Sequence, residues 1–342
     1  MLKEALKKVM DKQILTEEES YQAMMDILQG RATAAQIGCF MSLLTFRGVE
    51  VEELVGLTRA MREMATPVQL ETEGPVIDTC GTGGDGAQTF NVSTASALVA
   101  ASAGVPVAKH GNRAASSLSG SAVVLEVLQL PVEMDPEAIK EAIKRFNMCF
   151  MYAPLYHKAM RYAAGPRKEI GFRTVFNLLG PLNNPAGTKH QVLGLYDHSY
   201  SEKIAQTMLK LGAEHLLIVT GEDGLDELSI SAPSLVTELK DGQVRHYRIS
   251  PEEVGLSRHP LSQVQVKTPQ ESAALILSVL KGEEKGAAYE MICLNSGAAL
   301  YVGQKANSLA EGVQLAKELI SSGQAYAHYR YMVENQGVIR YA

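Results

Sequence analysis

The sequence predicts an α/β protein in which a small all-helical N-terminal domain precedes a larger α/β domain, whose mostly parallel central sheet is flanked by helices. Helical capping signals fill the first 65 residues, and apolar strands alternate with glycine turns and helices from Val76 onward. The length of 342 residues accommodates one large and one small domain. We therefore predict a helical domain over 1–72 and an α/β domain over 73–342, with a hinge segment at 165–187 that returns to the helical domain.

Two capping boxes mark helix starts in the N-terminal domain. Thr16 is followed three residues later by Glu19, and Thr33 by Gln36. In such a pair, each side chain can accept a hydrogen bond from a backbone amide that has no acceptor within the helix. Gly48 lies where the second of these helices would end. These signals predict a bundle of short helices.

Four apolar runs of the second domain predict strands. The runs lie at 76–77, 105–108, 192–196 and 216–219. Alternation of strands with helices is typical of a parallel sheet, because parallel strands need a crossover connection. The Gly-, Pro- and Asn-rich stretch 165–187 follows neither pattern, and we therefore interpret it as the hinge.

Composition and charge exclude several classes of protein. The chain carries 32 Lys and Arg against 38 Asp and Glu, and no basic run alternates with aromatic residues, so we expect no nucleic-acid partner. No stretch approaches the ~20 apolar residues of a membrane span, and the N-terminus lacks an apolar signal core, so we expect no membrane partner and a cytoplasmic location. The four cysteines lie far apart without a CxxC pair, which argues against a zinc site or a disulfide framework.

A glycine-rich turn follows the first predicted strand. Gly81, Gly83 and Gly84 precede Asp85, and an alanine-rich run at 95–103 predicts a helix a few residues later. Glycines let the backbone approach a phosphate closely, and the amides of a helix N-terminus attract anions. The polar side chains at 91, 93 and 94 lie at the mouth of that helix. The pattern favours a phosphate-binding turn, although such turns also occur without a ligand.

A second polar loop follows the second predicted strand. It runs from Lys109 to Ser117 and continues to Gly120 and Ser121, which begin an apolar helix. Its Lys and Arg supply positive charge and its serines supply hydroxyl groups, which suits phosphate binding. Because ligands of α/β sheets bind beyond the carboxyl ends of the strands, we expect both loops to face one pocket.

Two adjacent carboxylates, Asp226 and Glu227, follow the strand predicted at 216–219. Neither has a partner of opposite charge nearby in the sequence, which is costly unless the carboxylates are solvated or bind a cation. Mg²⁺ commonly takes one or two carboxylates together with phosphate oxygens and water. The pair therefore indicates a metal site that bridges to phosphate, with a solvated acidic loop as the alternative.

Taken together, these residues resemble the anthranilate phosphoribosyltransferase family of tryptophan biosynthesis. The resemblance rests on Gly81–Asp85, Asn91–Thr94, Lys109–Arg113 with Ser116 and Ser117, Arg173–Asn177 with Gly180 and Pro181, and Asp226 with Glu227. It covers nearly the whole chain, in order and in spacing. It implies a homodimer formed through the helical domain, an α/β domain like that of nucleoside phosphorylases, and two Mg²⁺ ions per monomer. The implied substrates are 5-phosphoribosyl 1-diphosphate and anthranilate.

The resemblance also implies roles for individual residues. Those expected to bind the phosphoribosyl substrate are Gly81, Gly84, Asp85, Thr89, Asn91, Val92, Ser93, Thr94, Lys109, His110, Gly111, Asn112, Arg113, Ala114, Ala115, Ser116, Ser117 and Ser121. Those expected to hold Mg²⁺ are Ser93, Asp226 and Glu227. The residues expected to be catalytic are Lys109, Asp226 and Glu227. Asn112 and Arg167 are expected to contact anthranilate, with His110 and His157 lining the same pocket. An ordinary structural histidine is the equal alternative for His157.

The chain departs from the family pattern at two positions. Val123 stands where the family has an acidic residue, and Gln129 replaces a usual glycine, so we expect an effect on efficiency or on the rigidity of the Lys109 loop. Two other functions share the fold. The paired carboxylates argue against a pyrimidine nucleoside phosphorylase. A pI of about 5.8 and the absence of tryptophan argue against a non-catalytic nucleic-acid-binding relative.

Overall fold

The computed structural model describes residues 1–113 and 120–338 as a group of N-terminal helices followed by one seven-stranded sheet with helices on both faces. The strands are β1 Ile77–Gly81, β2 Val107–Gly111, β3 Met148–Tyr152, β4 His190–Gly194, β5 His215–Gly221, β6 Ser234–Lys240 and β7 Gln243–Ile249. The helices are α1 Leu2–Met10, α2 Glu17–Leu28, α3 Ala34–Arg47, α4 Val51–Glu63, α5 Val92–Ser102, α6 Ser121–Val127, α7 Pro136–Phe146, α8 Ala153–Tyr156, α9 Arg161–Ile170, α10 Val175–Leu179, α11 Ser201–Lys210, α12 Pro269–Leu280, α13 Ala287–Val302, α14 Leu309–Ser321 and α15 Gln324–Asn335. The predicted fold class is confirmed.

The N-terminal helices begin where the capping boxes predict. The Thr16 hydroxyl accepts the Glu19 amide at 3.2 Å, and α2 starts at the next residue. Thr33 likewise caps α3, and Gly48, the residue after the helix, has φ of +89°. Local polar chemistry is sufficient to place these helices, because the first amides of a helix need acceptors wherever the helix packs.

The sheet has the strand order β3-β2-β1-β4-β5-β6-β7. The first five of these strands are parallel, and β6 and β7 are antiparallel to their neighbours. The chain builds outward from β1 through β2 to β3 and then returns to place β4 on the other side of β1. Connections therefore diverge between β1 and β4, and a crevice opens at the carboxyl ends of strands where such a reversal occurs.

All four predicted strands exist, but their bounds are shifted. β2 extends to Gly111, so Lys109 and His110 lie within the strand rather than in the loop after it, paired in register with Phe150 and Met151 of β3. β3 is not among the predicted strands, because its Met and Cys residues are weak strand signals. The β6–β7 hairpin is not predicted either, although Asp241–Gly242 joins these strands with positive φ at both residues, as a hairpin turn requires.

Segment 165–187 contains more regular structure than predicted. Gly165 and Pro166 lie inside α9, and Thr174 caps α10 further along the segment. Proline normally disfavours a helix interior, but here α9 packs against α3 and buries Ala163 and Pro166. Tertiary packing overrides the local signal. The hinge role of this segment and the domain limits remain predictions.

Each face of the sheet covers its own hydrophobic core. One core joins residues of α1–α4 with Leu193, Leu216 and Ile218 of the sheet, and the other joins β1–β3 with α5 and α12–α15. The N-terminal helices reach the sheet through α11, which contacts α4 on one side and β5 and β6 on the other. None of the described helices has the length and apolar character needed to cross a bilayer.

Candidate active site

A cleft of about 580 Å³ lies beyond the carboxyl ends of β1 and β2. The glycine-rich turn after β1, the first turn of α5 and the end of β2 line one side. Met61 of α4 and residues of α9 and α10 line the other. Both polar loops predicted from the sequence reach this cleft, at the place where the topology opens the sheet.

The start of α5 forms part of the cleft wall. The helix begins at Val92, earlier than the predicted Ala95, because the Asn91 side chain caps it by accepting the Thr94 amide at 3.1 Å. The Asn91 amide nitrogen lies 3.4 Å from the Ser121 hydroxyl, at the start of α6. Two helix N-termini therefore converge on the cleft, an arrangement that favours anions.

Lys109 reaches into the cleft from the end of β2 and is almost entirely buried. Its ammonium group donates to the Ser93 hydroxyl at 2.9 Å and to the Thr79 carbonyl oxygen. Burial lowers the pKa of Lys109, and the nearby charge of the buried Asp78 opposes that shift. Asp78 also accepts the His110 amide at 3.1 Å. The Lys109 ammonium group is thereby held at the bottom of the cleft, where the carboxyl ends of β1 and β2 meet it, and its hydrogen bonds go to two neutral oxygens.

Close backbone packing brings the carboxylate pair to the floor. A Cβ on Gly194 would lie 1.6 Å from the Asp226 carbonyl oxygen, so only glycine fits there. A Cβ on Gly81 would lie 2.6 Å from Asp226 Oδ2 and would displace that carboxylate. Asp226 Oδ2 accepts the Gly83 amide at 2.6 Å. Asp226 and Glu227 both line the cleft.

These carboxylates share a crowded and poorly solvated environment. Burial raises the pKa of Asp226, and the charge of Asp85 raises it further. Burial and the charge of Asp226 likewise raise the pKa of Glu227, whereas Lys109 lowers it. Within the described residues, no three His, Cys, Asp or Glu side chains are arranged to hold a metal ion by themselves. Carboxylates that are costly to leave ionised are suited to binding a cation. Two of them are enough for Mg²⁺ when phosphate oxygens and water supply its other ligands.

Two histidines lie side by side in the cleft. The rings of His110 and His157 are 5.3 Å apart between centroids. Burial, with smaller contributions from His157 and Lys109, lowers the pKa of His110 to about 3. Burial also lowers the pKa of His157, whose Nε2 lies 2.8 Å from the Asn183 carbonyl oxygen. Both rings are therefore neutral at physiological pH.

Arg167 lines the cleft from α9 and is half-buried. Burial lowers the pKa of its guanidinium group. Among residues 1–113 and 120–338, no hydrogen bond or ion pair engages it, and Glu169, two residues further along α9, does not pair with it. A cation that is partly desolvated and without a protein partner suits a ligand carboxylate.

Most of the predicted site residues line this cleft: Gly81, Gly84, Asp85, Thr89, Asn91, Val92, Ser93, Lys109, His110, Gly111, Asn112, Ser121, His157, Arg167, Asp226 and Glu227. Thr94 and Arg113 do not. Thr94 is buried, and Arg113 forms ion pairs with Glu126 at 2.5 Å and Glu133 at 3.1 Å. The predicted residues Ala114, Ala115, Ser116 and Ser117 lie outside the described residues.

Part of the cleft wall opposite the sheet consists of residues that the sequence did not single out. Lys158, Arg161 and Ala164 line the cleft together with Arg167. These four residues recur every third position, a spacing that places them along one side of a helical segment. Basic residues at this spacing indicate a positively charged side of a helix, but Gly165 and Pro166 in the same stretch favoured a hinge instead.

The chain matches two profiles of the same family. Residues 3–65 match the helical bundle domain of the glycosyl transferase family, and residues 73–326 match its α/β domain. The anthranilate phosphoribosyltransferase of Geobacillus kaustophilus is 56% identical over 326 residues, which are 95% of this chain and 96% of that protein. Similarity thus extends over both the helical and the α/β regions.

Solved structures show the same relationship. The crystal structure of anthranilate phosphoribosyltransferase from Thermus thermophilus superposes with a TM-score of 0.91 at 43% identity, covering 97% of this chain and 99% of that one. The enzyme of the same name from Saccharomyces cerevisiae, in complex with PRPP and Mg, superposes with a TM-score of 0.88 at 26% identity, covering 98% of both chains.

Proposed function

Because the chain belongs to the anthranilate phosphoribosyltransferase family, we propose that its cleft transfers the 5-phosphoribosyl group of 5-phosphoribosyl 1-diphosphate to the amine of anthranilate. The products are N-(5-phosphoribosyl)anthranilate and diphosphate. The bond from the anomeric carbon to the diphosphate oxygen breaks, and its electron pair leaves with diphosphate. The amine lone pair forms the new carbon–nitrogen bond, after which the nitrogen loses a proton.

The phosphoribosyl substrate is assigned to the sheet side of the cleft. The glycine-rich turn and the start of α5 offer backbone amides, and Lys109 offers a buried positive charge. Such groups stabilise the charge that develops on diphosphate as it departs. Among the described residues, the Lys109 ammonium group donates only to neutral oxygens, so it is available to a diphosphate oxygen.

Ser93, Asp226 and Glu227 are assigned as the residues that hold Mg²⁺, two ions per monomer being expected. The raised proton affinity of the two acids supports this assignment, because a cation would relieve their mutual repulsion. When bound, Mg²⁺ neutralises negative charge on diphosphate. The relative from Saccharomyces cerevisiae, in complex with PRPP and Mg, supports the same metal here.

Anthranilate is assigned to the wall formed by α9. Arg167 would pair with its carboxylate, and the exposed Asn112 would orient it from the end of β2. The neutral rings of His110 and His157 offer a face for the aromatic ring without repelling Arg167. An aromatic amine is already neutral at pH 7, so positioning rather than a strong base is required of the protein.

The observation that carries this proposal is the meeting in one cleft of Lys109, the Asp226–Glu227 pair and Arg167, which has no partner among the described residues. The test is the loss of anthranilate fluorescence after addition of 5-phosphoribosyl 1-diphosphate and Mg²⁺ to the purified protein. We expect consumption that requires both additions and stops with a chelator. Phosphorolysis of a pyrimidine nucleoside, with no consumption of anthranilate, would overturn the proposal.

A homodimer through the helical domain is part of the proposal. Met10, Ile14 and Phe46 of the helical region are exposed in the single chain, Phe46 to 88%. Phe172, at the end of α9, is exposed to 57%. Large apolar side chains left in water often mark a contact between subunits. Sedimentation equilibrium tests this directly, and a monomer at micromolar concentration would contradict it.

A further inference from the structure

The side chain of Asn295, on α13, holds the backbone of Leu228 at two points. Its Oδ1 accepts the Leu228 amide at 3.0 Å, and its Nδ2 donates to the Leu228 carbonyl oxygen at 2.9 Å. A side-chain amide that bonds both backbone groups of one residue copies the pairing of an adjacent strand. We call this pair of hydrogen bonds the Asn295 clamp.

The clamp sits immediately after the carboxylate pair. Leu228 follows Glu227 in a stretch between β5 and β6 that has no regular secondary structure of its own. No other residue in the described part of the chain hydrogen-bonds the Leu228 amide or carbonyl. Because Leu228 is buried, these backbone groups depend on Asn295 in place of water.

The two acids are held by different means. The carboxylate of Asp226 accepts the Gly83 amide, and its backbone is pressed against Gly194. The backbone on the C-terminal side of Glu227 is fixed instead by the Asn295 clamp. The Ser93 amide faces the Glu227 carboxylate, and the direction in which Glu227 projects depends in addition on a helix that lies outside the cleft lining.

The helix that carries the clamp is suited to this purpose. α13 is buried along most of its length, and Asn295 itself is 2% exposed. The Asn295 Nδ2 also donates to the Met291 carbonyl oxygen at 3.0 Å, one turn earlier in the helix. Three hydrogen bonds leave the Asn295 side chain little freedom to rotate. The position of Leu228 is therefore fixed by a rigid helix.

We propose that Asn295 is a positioning residue for the carboxylate pair, holding Leu228 so that Glu227 and Asp226 project into the cleft together. The inference rests on the proposed function only in that it takes these acids to hold the metal. It assigns Asn295 no contact with substrate or metal. Its role is to fix geometry across residues that are far apart in the sequence.

The test compares Asn295→Ala with Ser296→Ala, a matched control. Ser296 is the next residue of α13, is equally buried, and has a hydroxyl without a hydrogen-bond partner among the described residues. Binding of Mn²⁺ is measured in the presence of inorganic diphosphate, from the electron paramagnetic resonance signal of the free ion. Loss of residues that orient metal ligands typically weakens metal affinity about 10- to 100-fold, and we expect that range for Asn295→Ala.

The control is expected to bind Mn²⁺ like the parent, and the KM for anthranilate is expected to stay unchanged in both variants. Parental Mn²⁺ affinity in a folded Asn295→Ala protein would overturn the inference. Failure of the parent itself to bind Mn²⁺ with diphosphate would instead count against the proposed function.

If Asn295→Ala does not fold, hydrogen exchange of the parent protein decides the question. The clamp predicts an exchange rate for the Leu228 amide as slow as that of amides in neighbouring β5. Rapid exchange of that amide would contradict the clamp.

Discussion

At the scale of single residues, Lys109 and Arg167, two of the cations that line the cleft, have different surroundings. Lys109 is fixed by neutral oxygens of Ser93 and Thr79, whereas Arg167 has no partner in the described part of the chain. A half-buried guanidinium group loses hydrogen bonds to water, and without a partner in the protein this loss is not compensated. This difference supports a fixed electrostatic role for Lys109 and a ligand-clamping role for Arg167.

Replacing Arg167 with alanine is expected to weaken anthranilate binding selectively. Loss of a charge-assisted contact should cost roughly 1.5 to 3 kcal/mol, or about 10- to 150-fold in apparent affinity. The KM for 5-phosphoribosyl 1-diphosphate should move little. Steady-state titration of each substrate measures both effects.

Arg161→Ala serves as the control for this prediction. Arg161 also lines the cleft, but its guanidinium lies 4.8 Å from the Tyr162 ring centroid and donates to the Tyr162 hydroxyl. It should matter less for the anthranilate carboxylate. Equal increases in both KM values for Arg167→Ala, or a variant that only melts earlier, would argue for a structural role instead.

The buried His110 makes a second prediction, about stability and pH. Its folded pKa is about 3, whereas an unfolded histidine titrates near 6.5, so the unfolded chain binds the additional proton as pH falls below that value. Stability contributed by the neutral ring is present above about pH 6.5 and declines towards pH 3, by about 2 kcal/mol between pH 7 and pH 5. Urea unfolding of the parent and of His110→Asn at these two pH values measures the difference. If the free energy of unfolding changed equally between pH 7 and pH 5 in the two proteins, His110 would not be the buried neutral histidine inferred here.

At the scale of elements, α6 shows how one departure from the family pattern is accommodated. Gln129, which stands where the family has a glycine, adopts φ of +58° just after this helix. Its amide bonds the Glu126 carbonyl oxygen, and the Leu130 amide bonds that of Leu125, as in a helix end that favours glycine. The other departure, Val123, is half-buried within α6 and offers no carboxylate. Carboxylates are instead present at Glu126 and Glu133, and both pair with Arg113.

Restoring glycine at this helix end is expected to stabilise the protein. Relief of the left-handed conformation in Gln129→Gly should raise the free energy of unfolding by about 1 kcal/mol. Gln314→Gly, in the exposed interior of α14, should instead lower it by roughly 0.5 to 1 kcal/mol. Thermal unfolding of the two variants beside the parent tests the pair. Destabilisation by both substitutions would show that Gln129 carries no strain.

At the scale of the whole molecule, sequence reasoning succeeded where chemistry is local. The Thr16 and Thr33 caps and the glycine-rich turn after β1 are each specified by a few adjacent residues. It failed where packing decides, as in α9, where burial against α3 overrides the proline signal. The ion pairs of Arg113 with Glu126 and Glu133 are likewise set by the fold and not by a local pattern, and its role towards phosphate stays a prediction. The Asn295 clamp joins residues 67 positions apart, beyond the reach of any local pattern.

The most direct test of the central claim, that this cleft performs the transfer, combines Asp226→Asn with Glu227→Gln. Turnover of anthranilate at saturating Mg²⁺ is compared with that of the parent, together with thermal unfolding of both metal-free proteins at pH 8. Carboxyl groups with raised folded pKa values destabilise the protein once ionised, so the variant should be at least as stable as the parent. We expect a folded protein without measurable turnover. Turnover comparable to the parent's would show that the two acids form only a solvated loop and that this cleft does not use them for the transfer.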